Sequence, residues 1–209
     1  MNEVLVVGAG GFAKEAAWLI DSTDGWRAAG FVGESAADTG RSHGRYNIVM
    51  TDDELMNIDH KVSIVIGIGN PAAISKISQK LKINPNIKFP NIIHPSVIAD
   101  WERITLGEGN IVCGGNILTT DIRIGSFNII NLSCTIGHDS AIGDCNVINP
   151  GSNISGWVRI GGRTMIGTGT KILEKIEIGS DIIIGAGSVV TKNFSEPGVY
   201  AGVPARKIK

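Results

Sequence analysis

The chain has 209 residues, enough for two small domains whose cores need no staples. Nineteen Lys and Arg against 20 Asp and Glu give a formal charge of −1, which excludes a global electrostatic case for binding nucleic acid or an anionic membrane. No stretch of about 18 uninterrupted apolar residues occurs, and Glu3 stands where a secretory signal needs positive charge, so a cytoplasmic protein with a small-molecule partner is expected.

From the N-terminus, residues 3–7 (EVLVV) predict a short apolar strand that leads into Gly8-Ala9-Gly10-Gly11-Phe12-Ala13 and a helix over Lys14 to Ile20. A strand, glycine turn and helix in this order place backbone N–H groups where a phosphate can bind. A second strand, Ala28 to Val32, ends in Gly33-Glu34, an acidic residue about 20 positions beyond the glycines, where ribose hydroxyls are usually held. A third, Val62 to Ile66, ends in Gly67-Ile68-Gly69-Asn70-Pro71 before a helix over Ala72 to Leu81. Three such exits predict a Rossmann-like parallel sheet over residues 1–88, with its ligand at Gly10, Gly11, Phe12, Glu34 and Asn70. The glycine motif alone leaves two other readings, a turn that only packs helix on strand and an NAD site.

From Leu106 to Val190 every sixth residue is Ile, Leu or Val, fifteen in succession. In a chain 43% hydrophobic, chance gives such a run roughly 3 times in a million. An α-helix cannot hold one residue in six on one face, because six residues advance it about 600°. Three strands closing a triangular coil can, with each apolar residue stacked on the one 18 positions away. Glycine follows the apolar position at 107, 125, 137, 143, 161, 167, 179 and 185, which is read as a demand for sharp corners.

The repeat, ending in Val189-Val190-Thr191-Lys192 and Ala201-Gly202-Val203-Pro204-Ala205, resembles the hexapeptide-repeat acyltransferases. That resemblance covers residues 89–209 and implies a left-handed parallel β-helix, assembly as a homotrimer, and CoA lying in a groove between neighbouring helices. The order GAGGFAKE, GIGNP, IIHPS and TIGHD is similar, over nearly the whole chain, to the bacterial sugar O- and N-acyltransferases. These include sialic acid O-acetyltransferases and enzymes that N-acetylate nucleotide-linked 4-amino-4,6-dideoxy sugars.

Acyl transfer from a thioester to an amine needs a base for the amine's proton and donors for the thioester oxygen. Four histidines are available. His43 and His60 lie in hydrophilic surroundings and read as incidental surface residues; His94, before Pro95, reads as packing or capping, with substrate contact the alternative. His138 follows Gly137 at a corner, precedes Asp139, and is expected to point out of the prism. The resemblance makes His138 the base and Asp139 its acidic partner, and it assigns CoA contacts to the backbone amides of Gly156, Thr168, Gly185 and Ala186. Trp157 either flanks the groove or packs. Family members often carry a second histidine nine residues after the base. Here that position is Val147, so that histidine's role is expected to be absent or delegated to Asn146 or Asn149. The segment Asp100 to Thr105 reads as about two residues longer than usual, which puts Trp101 in an unusual place.

Cys113, Cys134 and Cys145 fit neither a disulfide framework nor a zinc site and read as small buried hydrophobes. One histidine after residue 94 is too few for a zinc site between coils, so no metal is expected. The expected activity is transfer from acetyl-CoA to the amine of a nucleotide-linked sugar. O-acetylation of a sugar such as a sialic acid is the rival within the class, and a non-catalytic nucleotide-binding trimer is the rival outside it.

Overall fold

The computed structural model describes residues 1–209. Its N-terminal part runs β1 (Asn2–Val7), α1 (Gly11–Asp21), β2 (Trp26–Gly33), β3 (Ser42–His43), β4 (Tyr46–Thr51), α2 (Asp52–Met56), β5 (Val62–Ile66), α3 (Pro71–Leu81) and β6 (Ile87–Lys88). The six strands form one sheet in the order β3-β4-β2-β1-β5-β6, parallel except where β3 meets β4. The chain reverses its direction of travel across the sheet between β1 and β5, which opens a crevice at the strand C-termini. Four elements go beyond the sequence reading. Strands β3 and β6 are two-residue edge strands, β4 fully buries only Ile48 and Thr51, and α2 is a five-residue helix held by a capping box between Thr51 and Glu54.

From Ile92 onward the chain is a left-handed parallel β-helix of two-residue strands on three faces. Face one carries Ile92, Ile111, Ile129, Val147, Met165 and Ile183; face two carries Ile98, Ile117, Thr135, Asn153, Lys171 and Val189; face three carries Thr105, Arg123, Ala141, Arg159 and Glu177. The next residue of each strand points inward. All of these from Val112 to Val190 are buried, each contributing roughly 1.5–3 kcal/mol, while Leu106 in the first coil is half-buried. The first coil is one residue longer than the rest, not two: Ile98 pairs with Ile117 across 19 residues, and Thr105 with Arg123 across 18. A tight turn absorbs the extra residue, closed by Arg103 N–H donating to the Asp100 carbonyl at 3.0 Å, and it leaves Trp101 43% exposed.

The repeated glycines serve a different purpose from the one expected. None of the eight has positive φ; instead a Cβ at each would meet the next coil, at 2.6 Å from Gly156 N for Gly137 and 2.5 Å from Ala186 N for Gly167. They let coils stack. The corners are made two residues later, where positions 109, 115, 121 and every sixth one to 187 have positive φ. Nine of these fourteen are not glycine, Phe127, Asp139, Trp157 and Lys175 among them, although this region costs a side chain about 1–2 kcal/mol.

The corner between faces three and one is tied from inside by a ladder of buried polar side chains. Asn91 Oδ1 accepts from Asn110 N, Asn110 Oδ1 from Asn128 N, Asn128 Oδ1 from Asn146 N and Asn146 Oδ1 from Thr164 N, at 2.8–2.9 Å. At the C-terminal end, Phe194 stacks on Tyr200 at 4.0 Å and the hairpin of Gly198–Gly202 with Ala205–Lys207 extends face one. Helices α1 and α3 of the head pack on that same face, where Ile111, Ile129 and Val147 join the head's hydrophobic core together with Phe89, Cys113, Phe127 and Cys145. No helix is long and apolar enough to cross a membrane.

Candidate active site

His138 stands on the edge between faces two and three, across the prism from the face that carries the head. The corner at Asp139, with φ of 61°, turns that carboxylate back onto the ring, where Oδ2 lies 2.9 Å from His138 Nδ1. A carboxylate only accepts, so Nδ1 carries the proton toward Asp139, and in the neutral ring Nε2 keeps its lone pair. The ring is about half exposed, as a group that must meet substrate requires. It lies over Gly156, one coil on, whose Cβ position would fall 2.7 Å from both Cε1 and Nε2. The Trp157 ring meets the imidazole edge-on at 6.5 Å between centroids, so Trp157 flanks the base.

Gly156 therefore leaves room for the imidazole, and its own N–H has no acceptor within the chain. Gly156→Ala is expected to push the ring aside and reduce kcat by at least about tenfold with the fold intact; kcat within twofold of wild type at unchanged melting temperature would show that the ring tolerates the methyl group.

Three of the four expected CoA residues, Thr168, Gly185 and Ala186, gather on the edge between faces one and two, and face two separates them from Gly156. The N–H groups of Thr168 and Ala186 have no acceptor within the chain. Gly185 departs from expectation: its N–H already donates to the Tyr200 carbonyl at 2.8 Å, so it has no free donor, and a Cβ there would lie 2.9 Å from Ala201 Cβ.

Of the two residues named for the second histidine's role, Asn146 is wholly committed elsewhere and Asn149 commits one amide N–H. Asn146 is fully buried in the corner ladder, and the amide of Asn149 donates to the Ile166 carbonyl at 2.9 Å. Val147 itself is buried where the head packs on face one.

In the head, a cleft of about 660 Å³ lies at the ends of β1 and β2, lined by Gly8, Gly33, Glu34, Asp52, Lys76 and Lys80 among others. Gly8 and Gly67 are required by packing, since a Cβ would lie 2.8 Å from Ile68 and 2.5 Å from Val6. Gly10 and Gly11 are not, for a Cβ at either meets nothing within 4 Å. They lead into α1, whose N-terminus has no side-chain cap and no acidic residue in its first turn, leaving N–H groups for an anion. Phe12 packs against the core, and Asn70 caps α3 by accepting from Ala73 N at 2.9 Å, which commits its oxygen but not its amide N–H groups.

The other histidines sort by contact. His94 Nδ1 lies 2.8 Å from Ser96 Oγ and the ring packs against Trp18, a capping and packing role, while His60 is exposed beside Asp59. His43 is not an incidental surface residue: its ring meets Phe31 edge-on at 5.5 Å and its Nε2 is buried without a partner. All three cysteines are buried, and burial holds their thiols above the ordinary range, Cys113 up to about 12, which disfavours a thiolate nucleophile. No group of three His, Cys, Asp or Glu is placed to hold a metal ion.

Residues 3–81 match the model of the PglD N-terminal domain. No curated protein sequence matches the chain. Solved structures match it throughout. A histidine variant of perosamine N-acetyltransferase from Caulobacter crescentus, in complex with CoA and GDP-perosamine, is 28% identical with a TM-score of 0.91, over 100% of this chain and 98% of that one. The acetyltransferase domain of PglB from Neisseria gonorrhoeae FA1090, in complex with acetyl coenzyme A, is 26% identical with a TM-score of 0.89 over all of both chains. WeeI from Acinetobacter baumannii AYE is 27% identical with a TM-score of 0.86, again over all of both. A head matching the PglD N-terminal domain, followed by a hexapeptide-repeat prism, is thus an architecture the chain shares with sugar acyltransferases.

Proposed function

We propose that the protein is an acetyl-CoA-dependent N-acetyltransferase that acts on the amine of a nucleotide-linked 4-amino-4,6-dideoxy sugar. The observation that carries this reading is the His138–Asp139 pair at 2.9 Å above the bare Gly156, in a chain matched over its length by enzymes that bind CoA and a nucleotide-linked amino sugar. The neutral amine attacks the thioester carbonyl while Nε2 of His138 takes the proton it sheds. Asp139 stabilises the imidazolium, and the N–H of Gly156 supports the developing oxyanion. The C–S bond then breaks, leaving the amide and CoA. One relative holds CoA and GDP-perosamine together, which favours direct transfer within a ternary complex over an acyl-enzyme.

CoA runs across face two, from Gly156 to the free N–H groups of Thr168 and Ala186. The nucleotide binds in the cleft of the PglD-like head, on the N–H groups after Gly10 and Gly11, with Glu34 on the ribose and Phe12 and Asn70 beside it. Within one chain that cleft and His138 belong to opposite sides of the prism, so the head of one subunit serves the base of another. A homotrimer supplies that neighbour. Ile98 and Ile117 on face two, with Trp101, Trp157 and Leu173 along the His138 edge, expose the apolar surface it would cover. The enzyme works in the cytoplasm, where acetyl-CoA is at hand, and its product feeds assembly of a surface polysaccharide.

The deciding assay follows free-thiol release from acetyl-CoA with nucleotide-linked 4-amino sugars, their 4-hydroxy counterparts and free sialic acid. Turnover confined to the amino sugars is expected; turnover only with hydroxyl acceptors would move the activity to O-acetylation, and binding of nucleotide without turnover would leave a non-catalytic module.

A further inference from the structure

Face three, on the other side of the His138 edge from the proposed CoA track, carries a trough whose arginines this mechanism leaves unused. It holds about 270 Å³ and is lined by Arg103, Arg123, Arg159, Asp121, Asp139 and Trp157 among others. Arg123 and Arg159 belong to one column of the face, with Ala141 between them, and the small side chain of Ala141 leaves the floor low. The charges there are unevenly committed. Arg103 neutralises Asp121 at 2.5 Å, and Asp139 is engaged by His138. Arg123 has no ion pair, and Arg159 reaches Glu177 only at 4.0 Å.

We propose that Arg123 and Arg159 hold the sugar-side phosphate of the acceptor's diphosphate, its nucleoside-side phosphate lying on the head N–H groups of a neighbouring subunit, while its sugar reaches over the edge to His138. Guanidinium groups donate in a planar fork that suits phosphate oxygens, and two of them flank the trough. The volume is below the roughly 300–1,000 Å³ of a full ligand site, as suits a subsite for part of a ligand whose nucleoside lies on another subunit's head. The position separates the substrates: the thioester approaches the edge across face two, so a polyanion on face three is the other reactant.

This inference rests on the proposed acetyl transfer, and its test keeps the two apart. Arg123→Ala/Arg159→Ala is compared with wild type and with the double lysine variant in steady-state kinetics, and pyrophosphate binding is measured by calorimetry without turnover. The expected result is an acceptor KM raised at least about tenfold with acetyl-CoA KM within twofold, partial rescue by lysine, and weaker pyrophosphate binding in the alanine variant. Both arginines are exposed, so melting temperature and oligomeric state should not move. An unchanged acceptor KM with unchanged pyrophosphate binding overturns the assignment, and a raised acetyl-CoA KM in its place gives the arginines to CoA. If wild type turns over no acceptor, the proposed function fails, while the binding comparison still decides whether the trough holds a phosphate group.

Discussion

Replacing His138 with alanine is expected to lower kcat by about 10²–10⁴ while acetyl-CoA binding, followed by thermal shift or calorimetry, stays within a few-fold of wild type. The asymmetry follows from placement. The imidazole is half exposed on an edge, its contacts are Asp139, Gly156 and Trp157, and it contributes nothing to the buried core. Removal of the ring leaves the coil standing and takes away the group that receives the proton. Asp139→Asn should fall between wild type and His138→Ala, because an amide can present N–H to Nδ1 and favour the wrong tautomer. Turnover of the alanine variant equal to wild type would remove His138 from the mechanism and send the search for a base elsewhere on the edge.

The second large effect is on stability. Asn128 is fully buried at the middle of the corner ladder: it donates from its backbone N–H and Nδ2 to Asn110, and its Oδ1 accepts from both the backbone N–H and the Nδ2 of Asn146, at 2.9 and 3.0 Å. Asn128→Ala strands two buried donors of Asn146 and one acceptor site on Asn110. At about 1–3 kcal/mol for each unsatisfied group, partly relieved by relaxation, a loss of about 3 kcal/mol is expected, read as a lower urea midpoint at fixed protein concentration. Asn47, exposed on β4, is the control, and Asn47→Ala should stay within about 0.5 kcal/mol. Equal midpoints for the two variants would show that the ladder accompanies the fold without holding it.

The prism was legible because its core is written at one period: each inward residue recurs every six positions and its chemistry is always apolar. The corners were not, since the position with positive φ is occupied by Gly, Asp, Phe, Ser, Cys, Trp, Arg and Lys in turn, and no residue type marks it. The sequence alone therefore reads the glycines as turns, whereas their neighbours show that they let coils stack. In the head, β1, β2 and β5 announce themselves as apolar runs ending in glycine, whereas β4, half exposed at Asn47 and Val49, has no such run.

Within the candidate site, His138 was readable as a break in the coil grammar. The commitment of the Gly185 N–H to Tyr200, and of Asn146 to the ladder, is tertiary and leaves no trace in spacing. Arg123 and Arg159 were open to discovery, for they lie 36 residues apart, two full coils, and therefore one above the other on face three.

The stacking of coils on bare glycines has a geometric consequence for how such an enzyme can change. Heights along the prism axis come in steps of one strand spacing, about 4.8 Å, and each step consumes 18 residues. His138 and Gly156 differ by one step. The coils holding Thr168 and Ala186 stand higher on the same staircase. No point substitution can alter those heights, so the prism acts as a ruler graduated in whole coils, and a donor with a longer or shorter arm is reached only by inserting or deleting a complete turn.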